Sequence, residues 1–253
     1  LGADLNRVRQ TVNQLLAAGA AGPLDAQALP AEQIPALCWQ PVAAGAALVG
    51  VAMFFDGAVA REVSEHATPA SISTAHSLNR FGEVVVIGPV AGGLALVGLA
   101  AHRPEILRAG GRIAASAVLA SALSQATKYL VGRSRPYQDA ELRGGTFRPF
   151  SGRVSFPSGH ATAAFAFATA LGDATGSTVA RVGLYTLATG VAWGRIAESD
   201  HWLSDVIAGA GLGVLAGKFA SGRIRVFGLQ APHFLVRRGD AALSWTAALP
   251  PLR

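Results

Sequence analysis

The chain has 253 residues, a net charge of +6 and 51% hydrophobic residues, with only 14% charged residues against about 25% in an average soluble domain. This composition excludes an intrinsically disordered chain, and the single cysteine, Cys38, excludes a disulfide-stapled scaffold. Lys128 and Lys218 are the only lysines, so arginine, whose flat guanidinium matches phosphate oxygens, supplies most of the positive charge. No lysine-rich stripe with interleaved aromatic residues is present, and no nucleic-acid partner is predicted.

Residues 1–36 are mixed and polar, and Pro23, Pro30 and Pro35 interrupt them. The stretch Asp4–Leu16 has apolar residues at helical spacing, which predicts a short amphipathic helix. Such a helix lies on a membrane surface or packs on the body of the protein, and the sequence leaves both open.

Six uncharged, largely apolar runs follow: Pro41–Phe55, Val84–Ala101, Ile113–Thr127, Ala161–Gly172, Val182–Trp193 and Val206–Gly217. Only the second run, with 18 residues, reaches the length of a membrane span on its own, and the others reach about 20 when their mildly polar flanks are counted. Their Ala and Gly content suits close helix contacts in a bilayer. The predicted fold is therefore all-α, a six-helix membrane-embedded bundle with an N-terminal amphipathic helix. A soluble helical core is the alternative, because short apolar runs are also typical of buried helices.

The predicted organisation has three parts: an N-terminal amphipathic and polar segment (1–36), a phosphatase helical bundle (37–222) and a basic C-terminal tail (223–253), of which Phe227–Arg253 is loose or holds a short apolar helix. Two basic segments lie on one side of a six-span arrangement, Arg103, Arg108 and Arg112 in the first, and Lys218, Arg223, Arg225, Arg237 and Arg238 in the second. The positive-inside rule makes that side cytoplasmic. The arginines of residues 128–153 then lie outside and need another explanation.

The first motif that carries chemistry runs from Lys128 through Arg135 to Pro136, at the end of an apolar run. Its lysine is a phosphate ligand or, on the blander interpretation, an anchor that reaches the membrane surface. The second motif is Pro157-Ser158-Gly159-His160, which opens a predicted helix. Free amides at a helix start bind anions, although the same pattern also fits a plain cap by Ser158.

The third motif runs from Arg195 through His201 to Asp205. The spacing of His201 and Asp205 places both on one helix face, where the carboxylate fixes the imidazole tautomer and leaves the other ring nitrogen as a nucleophile. An ordinary surface His–Asp pair is the alternative. A metal site is disfavoured, because no further ligand stands at the right spacing and the nearby cations repel a metal.

Taken together, the three motifs supply what phosphoryl transfer needs: cations for the phosphate oxygens, a nucleophile and a proton donor. Their order, Lys-x6-Arg-Pro, Pro-Ser-Gly-His and Arg-x5-His-x3-Asp, resembles the type 2 phosphatidic acid phosphatase superfamily, which includes lipid and acid phosphatases and the vanadium haloperoxidases. The resemblance spans about Asp56 to Phe219. One departure is Gly194, where the family usually has serine, so a hydroxyl that supports the phosphate site is missing.

The resemblance implies a role for each motif residue. His201 attacks phosphorus and forms a phosphohistidine, Asp205 orients His201, and His160 protonates the leaving alkoxide and then activates water. The phosphate would be held by Lys128, Arg135, Ser158, Gly159 and Arg195. No metal and no other cofactor is implied. Arg133, Arg143, Arg148 or Arg153 either attract an anionic head group or only keep a loop soluble.

The predicted function is thus a phosphatase of a lipid phosphate or diphosphate, such as phosphatidic acid, phosphatidylglycerol phosphate or a polyprenyl diphosphate. Its expected partners are that lipid substrate and membrane lipids, its expected place is the bacterial inner membrane with the site facing outward, and its oligomeric state is left open. The alternatives are a soluble or periplasmic acid phosphatase, a vanadate-dependent haloperoxidase, and a non-catalytic subunit of a membrane complex that keeps the fold.

Overall fold

The structure is a computed structural model that describes residues 34–231 with their side chains, and the backbone of residues 233–237 and 240–244. The chain divides into two compact units, residues 1–34 and 35–253, and the fold described here is that of the second. The amphipathic helix predicted at Asp4–Leu16 lies outside the described residues. The domain boundaries proposed from the sequence stay predictions.

The described residues form seven α-helices: α1 (Trp39–Glu65), α2 (Pro69–Asn79), α3 (Val84–Ala100), α4 (Pro104–Val131), α5 (Gly159–Thr175), α6 (Thr178–Ala197) and α7 (Leu203–Ala220). Each of the six uncharged runs falls on its own helix, so the all-helical bundle is confirmed. Helix α2 was not predicted, because it has no long apolar run. A reciprocal cap starts it, in which Thr68 and Ser71 each accept a hydrogen bond from the other's backbone N–H.

The basic tail contains a β-hairpin, which the sequence left undecided between a helix and a loose segment. Strand β1 (His233–Arg237) pairs antiparallel with β2 (Asp240–Ser244), with His233 opposite Ser244. Only two residues separate the strands, which is the commonest spacing for a hairpin. The hairpin follows the bundle and contributes no described side chain to the site.

Three helices, α1, α4 and α7, are long and apolar enough to cross a membrane. Helix α2, with the short turn that follows it, and α3 make a fourth candidate as a pair bent by 41°. Large apolar side chains face outward, such as Phe54 and Val118, which are 89% and 70% exposed. This surface is that of an integral membrane protein, because water would penalise such exposure and lipid does not. The six-span count stays a prediction.

Close packing of α5 against α7 positions the functional end of the bundle. Gly209, Gly213 and Gly217 recur every four residues on α7 and face α5. A Cβ on Gly209 would lie 2.6 Å from the Ser158 carbonyl oxygen, so only glycine allows this approach. Ser158, just before α5, also donates its backbone N–H to the Asp205 carbonyl at 2.9 Å. The beginnings of α5 and α7 therefore lie side by side.

Candidate active site

The third motif places its nucleophile candidate just before a helix and not within one. Helix α7 begins at Leu203, after His201, because the Asp205 carboxylate accepts the Trp202 backbone N–H at 3.0 Å and so caps the helix. The prediction that His201 and Asp205 share a helix face is wrong, because His201 precedes the helix. The two side chains still meet, with 3.5 Å between His201 Nδ1 and Asp205 Oδ2.

Both members of this pair are buried, His201 at 2% and Asp205 at 0% exposure, which removes the interpretation as a surface pair. Burial lowers the pKa of the His201 imidazole, and Asp205 opposes that shift without overcoming it. The ring is therefore neutral near pH 7, as a nucleophile must be. The 3.5 Å separation is long for a hydrogen bond, and catalytic contacts of this kind often tighten only with substrate bound.

Asp205 is held by two side chains that the sequence analysis did not assign to it. Ser155 donates its hydroxyl to Oδ2 at 2.5 Å, and Arg133 donates Nη1 to Oδ1 at 2.6 Å. Arg133 is 1% exposed, so its predicted use as an attractor of head groups or as a soluble loop residue is wrong. Its guanidinium also stacks over the rings of Phe147 and Trp202.

Lys128 lies in the last turn of α4, at the same end of the bundle. Gly132 ends that helix with a left-handed φ of 60°, which turns the chain back over the site. The Lys128 ammonium donates to the Val154 carbonyl at 2.5 Å, and the residue is buried. It is therefore not an anchor that reaches the membrane surface.

Arg135 and Arg195 come together through acidic residues of the α6–α7 connection. Asp200 accepts Arg135 Nη1 at 2.8 Å and also binds Arg195 Nη2, while Glu198 accepts Arg195 Nη1 at 2.9 Å. The Nε atoms of both arginines are buried and have no hydrogen-bond partner among the described residues. Guanidinium donors that lack partners and lie close together favour the binding of an anion.

The second motif starts α5 as predicted. Ser158 is fully buried and caps the helix by accepting the Ala161 backbone N–H at 3.4 Å. Its hydroxyl proton remains available to a ligand. A Cβ on Gly159 would lie 3.8 Å from Lys128 Cε, which places the first turn of α5 beside the lysine. His160 follows, and burial first and the nearby Arg195 guanidinium second lower its pKa to about 4, so without substrate its ring is neutral near pH 7.

The structure therefore brings all eight sequence-predicted residues to one end of the bundle, and their roles stay predictions. Gly194 does not belong to this group. A Cβ at Gly194 would lie 2.7 Å from Asn79 Oδ1 and 3.0 Å from the Ala75 carbonyl, so the position is closed by α2. Glycine is there because α2 packs against α6, and the serine expected from the family has no room.

Sequence reasoning missed Asp56, which lies in α1 with 0% exposure and binds Arg133. The signal was present, since a lone carboxylate that ends an apolar run is unusual in a membrane helix. Within residues 34–231, no three His, Cys, Asp or Glu side chains are grouped to hold a metal ion.

Comparison with known proteins identifies the family. The PAP2 superfamily model matches residues 109–240, which contain all three motifs. Decaprenylphosphoryl-5-phosphoribose phosphatase of Mycobacterium tuberculosis is 35% identical over 149 residues, which are 59% of this chain and 78% of that protein. Lipid A 1-phosphatase of Porphyromonas gingivalis is 36% identical over 102 residues, 40% of this chain and 20% of that protein.

Among solved structures, the chain is similar to LpxE of Aquifex aeolicus, with 21% identity and a TM-score of 0.49 over 64% of this chain and 91% of that one. The family model and the mycobacterial relative carry the assignment, and they confirm the resemblance inferred from the motifs. The chain belongs to the PAP2 superfamily.

Proposed function

We propose that this protein hydrolyses a phosphate or diphosphate monoester of a lipid through a phosphohistidine intermediate, at the extracytoplasmic face of a bacterial inner membrane. The observation that carries the proposal is the meeting, at one end of the bundle, of a buried His–Asp pair with three cations and a second histidine. This set supplies each requirement of phosphoryl transfer without a metal ion or other cofactor.

In the proposed first step, His201 Nε2 attacks phosphorus in line with the leaving oxygen. The P–N bond forms as the P–O bond to the lipid breaks. His160 takes up a proton when the negatively charged phosphate binds beside it, and it gives that proton to the departing alkoxide. Asp205 faces Nδ1 and stabilises the positive charge that the ring gains. In the second step, His160 takes a proton from water, the hydroxyl attacks phosphorus, and the P–N bond breaks to release phosphate and neutral His201.

The cations account for most of the expected rate enhancement. Lys128, Arg135 and Arg195 neutralise the phosphate oxygens, and their geometry is fixed by contacts to Val154, Asp200 and Glu198. The first turn of α5 adds the Gly159 amide and the Ser158 hydroxyl. Such fixed donors act most strongly in a buried site, where water does not screen them.

The substrate class follows from the relatives and from the surface around the site. Both sequence relatives are named as phosphatases, and both names include a lipid substrate. The loop between α4 and α5 holds a groove of about 530 Å³ whose lining includes the polar Ser134 and Thr146, the basic Arg153 and the acidic Asp139 and Glu141. Ser134 directly precedes Arg135, so a polar head group fits here while the lipid chain stays in the membrane.

The distribution of arginines supports the outward-facing site. Asp173, near the end of α5, interacts with Arg181 at 3.7 Å and with Arg223 at 3.8 Å, and Arg108 and Arg112 are close by. Asp173 lies thirteen positions after His160 on α5, a rise of about 20 Å along the helix. The basic cluster is therefore opposite the site, and the positive-inside rule makes it cytoplasmic.

A phosphate-release panel in detergent tests the function. Purified protein is given phosphatidic acid, phosphatidylglycerol phosphate and a polyprenyl diphosphate, alongside the variants His201→Ala and His66→Ala. His66 is exposed and pairs with Glu62 on the same helix, so it is the matched control. We expect turnover of at least one lipid by wild type and His66→Ala and none by His201→Ala. Turnover by His201→Ala would rule out the mechanism.

A further inference from the structure

A buried chain of charges joins helix α1 to the nucleophile, and no step proposed above uses its far end. Asp56, Arg133 and Asp205 have side-chain exposures of 0%, 1% and 0%. Charges buried this deeply are strongly destabilising without partners, so their arrangement is constrained. A charged residue inside a candidate membrane helix, as Asp56 is, marks a functional role more often than a structural one.

Arg133 lies between two carboxylates. Its Nη1 donates to Asp205 Oδ1 and its Nη2 to Asp56 Oδ2, both at 2.6 Å. The Asp56 carboxylate is fixed in turn by Ser204, which donates its backbone N–H at 2.8 Å and its hydroxyl at 2.6 Å. Ser204 is also a neighbour of Asp205 in the sequence, so both carboxylates are tied to the first turn of α7.

The net charge of the three groups decides how strongly Asp205 can act on His201. Asp205 faces Arg133 with one oxygen and His201 with the other. If Arg133 had only Asp205 as a partner, the guanidinium would neutralise the carboxylate on which His201 depends. Asp56 supplies a second negative charge, so the three groups keep one net negative charge for the imidazole. Because the local dielectric is low, this net charge interacts strongly with the imidazole.

We infer that Asp56 is a positioning residue for catalysis: it balances the charge of Arg133, so that Asp205 remains free to orient His201 and to stabilise the charge that the ring gains as phosphohistidine. This inference rests on the proposed function. The competing explanation is that Asp56 only fastens α1 to the bundle. The two explanations differ in what a neutral substitution does to kcat and to substrate affinity.

The first test compares Asp56→Asn with Glu62→Gln, an exposed carboxylate of the same helix. Phosphate release from phosphatidic acid in detergent micelles, or from the best lipid of the panel above, gives kcat and KM. We expect Asp56→Asn to lower kcat about 10- to 100-fold, the size of coupling within one polar network, and to change KM less than about twofold. Inhibition by inorganic phosphate should be unchanged, because the three phosphate-binding cations are untouched. Glu62→Gln should behave as wild type.

The second test is the double variant Asp56→Asn/Arg133→Gln. It removes the unbalanced guanidinium, so charge balance predicts a kcat at least about fivefold above that of Asp56→Asn alone. A purely structural role predicts a further loss, because both fasteners are gone. Thermal unfolding in detergent accompanies each measurement. Should Asp56→Asn fail to fold, the double variant decides alone. A folded protein within about tenfold of wild-type kcat supports the inference, and a slower folded one, or one that also fails to fold, overturns it.

The outcomes separate this inference from the function beneath it. A wild type that releases no phosphate contradicts the proposed function. An active wild type with an unchanged kcat in Asp56→Asn, or a double variant no faster than the single one, contradicts the inference and leaves the function standing.

Discussion

The two sides of the candidate site are built differently. On the nucleophile side, His201, Asp205, Arg133 and Asp56 are all at most 2% exposed, and both carboxylates are bonded through both oxygens. On the phosphate side, the Arg135 and Arg195 side chains are 24% and 8% exposed, and each keeps an Nε donor without a partner among the described residues.

This difference indicates two kinds of design in one site. The nucleophile side is preorganised by contacts that also hold α1, α4 and α7 together, so changes there should affect activity and stability jointly. On the phosphate side the acidic partners are partly exposed, Glu198 at 17% and Asp200 at 22%, and Asp200 is shared by two arginines. Changes there should therefore affect activity more than they affect the fold. Substitutions on each side can test whether this separation is real.

The largest effect is expected on the nucleophile side. Asp205→Asn should lower kcat by roughly 10⁴-fold, because the amide no longer fixes the imidazole tautomer. It should also lower the free energy of unfolding, since Arg133 loses a charged partner. Phosphate-release kinetics and thermal unfolding in detergent measure the two effects. A variant that loses activity at full stability would contradict the coupling.

On the phosphate side, Arg195→Ala should lower kcat/KM by about 10²- to 10³-fold, the usual effect of losing one fixed donor to the transition state. Its unfolding temperature should fall less than that of Asp205→Asn, because Asp200 keeps Arg135 as a partner and Glu198 is partly exposed. Arg181→Ala is the matched control, because Arg181 pairs with Asp173 at the opposite end of the bundle. A large loss of stability in Arg195→Ala, absent from Arg181→Ala, would erase the distinction between the two sides.

The free energy of unfolding, measured over a series of pH values, tests the burial of His201. Its pKa lies below the ordinary value of 6.5, so as pH falls through 6.5 the unfolded state takes up a proton that the folded state does not. Stability should therefore fall toward acid pH by up to about 1.4 kcal/mol per pH unit from this group. The variant His201→Asn lacks the group and should lose less stability between pH 7 and pH 5. Parallel curves for the two proteins would show that the histidine is not titrating as described.

The smallest effect is expected at Gly194, away from both sides. Gly194→Ser places a Cβ against Asn79 and should cost about 1–3 kcal/mol of stability, the usual range for overpacking. Activity per folded molecule should stay within a few-fold of wild type. A gain in activity would mean that the hydroxyl reaches the phosphate site after all.

Local sequence signals account for much of this structure. The uncharged runs located six of the helices, and three motifs in order located eight residues that lie together. Helix α2 was missed because its start depends on the Thr68–Ser71 cap and its packing on the absence of a side chain at Gly194. The pattern of apolar residues in α2 does not indicate either feature.

Tertiary pairing explains the remaining differences. Asp56 and Arg133 are 77 residues apart, and no local sequence feature indicates that they bind each other. The sequence indicates only a loop arginine at Arg133, yet this residue is buried directly after α4. Likewise, the start of α7 is set by the Asp205 cap, which a spacing of four residues does not reveal.

The central claim is that His201 carries the phosphoryl group, and one measurement tests it directly. Phosphatidic acid labelled in its phosphate is mixed with wild-type protein in detergent, quenched within milliseconds, and the labelled peptide is mapped by mass spectrometry. The account predicts an acid-labile, alkali-stable label on His201 that appears before free phosphate and is absent from His201→Ala. Rapid product formation with no protein-bound label, or a label on another residue, would contradict it.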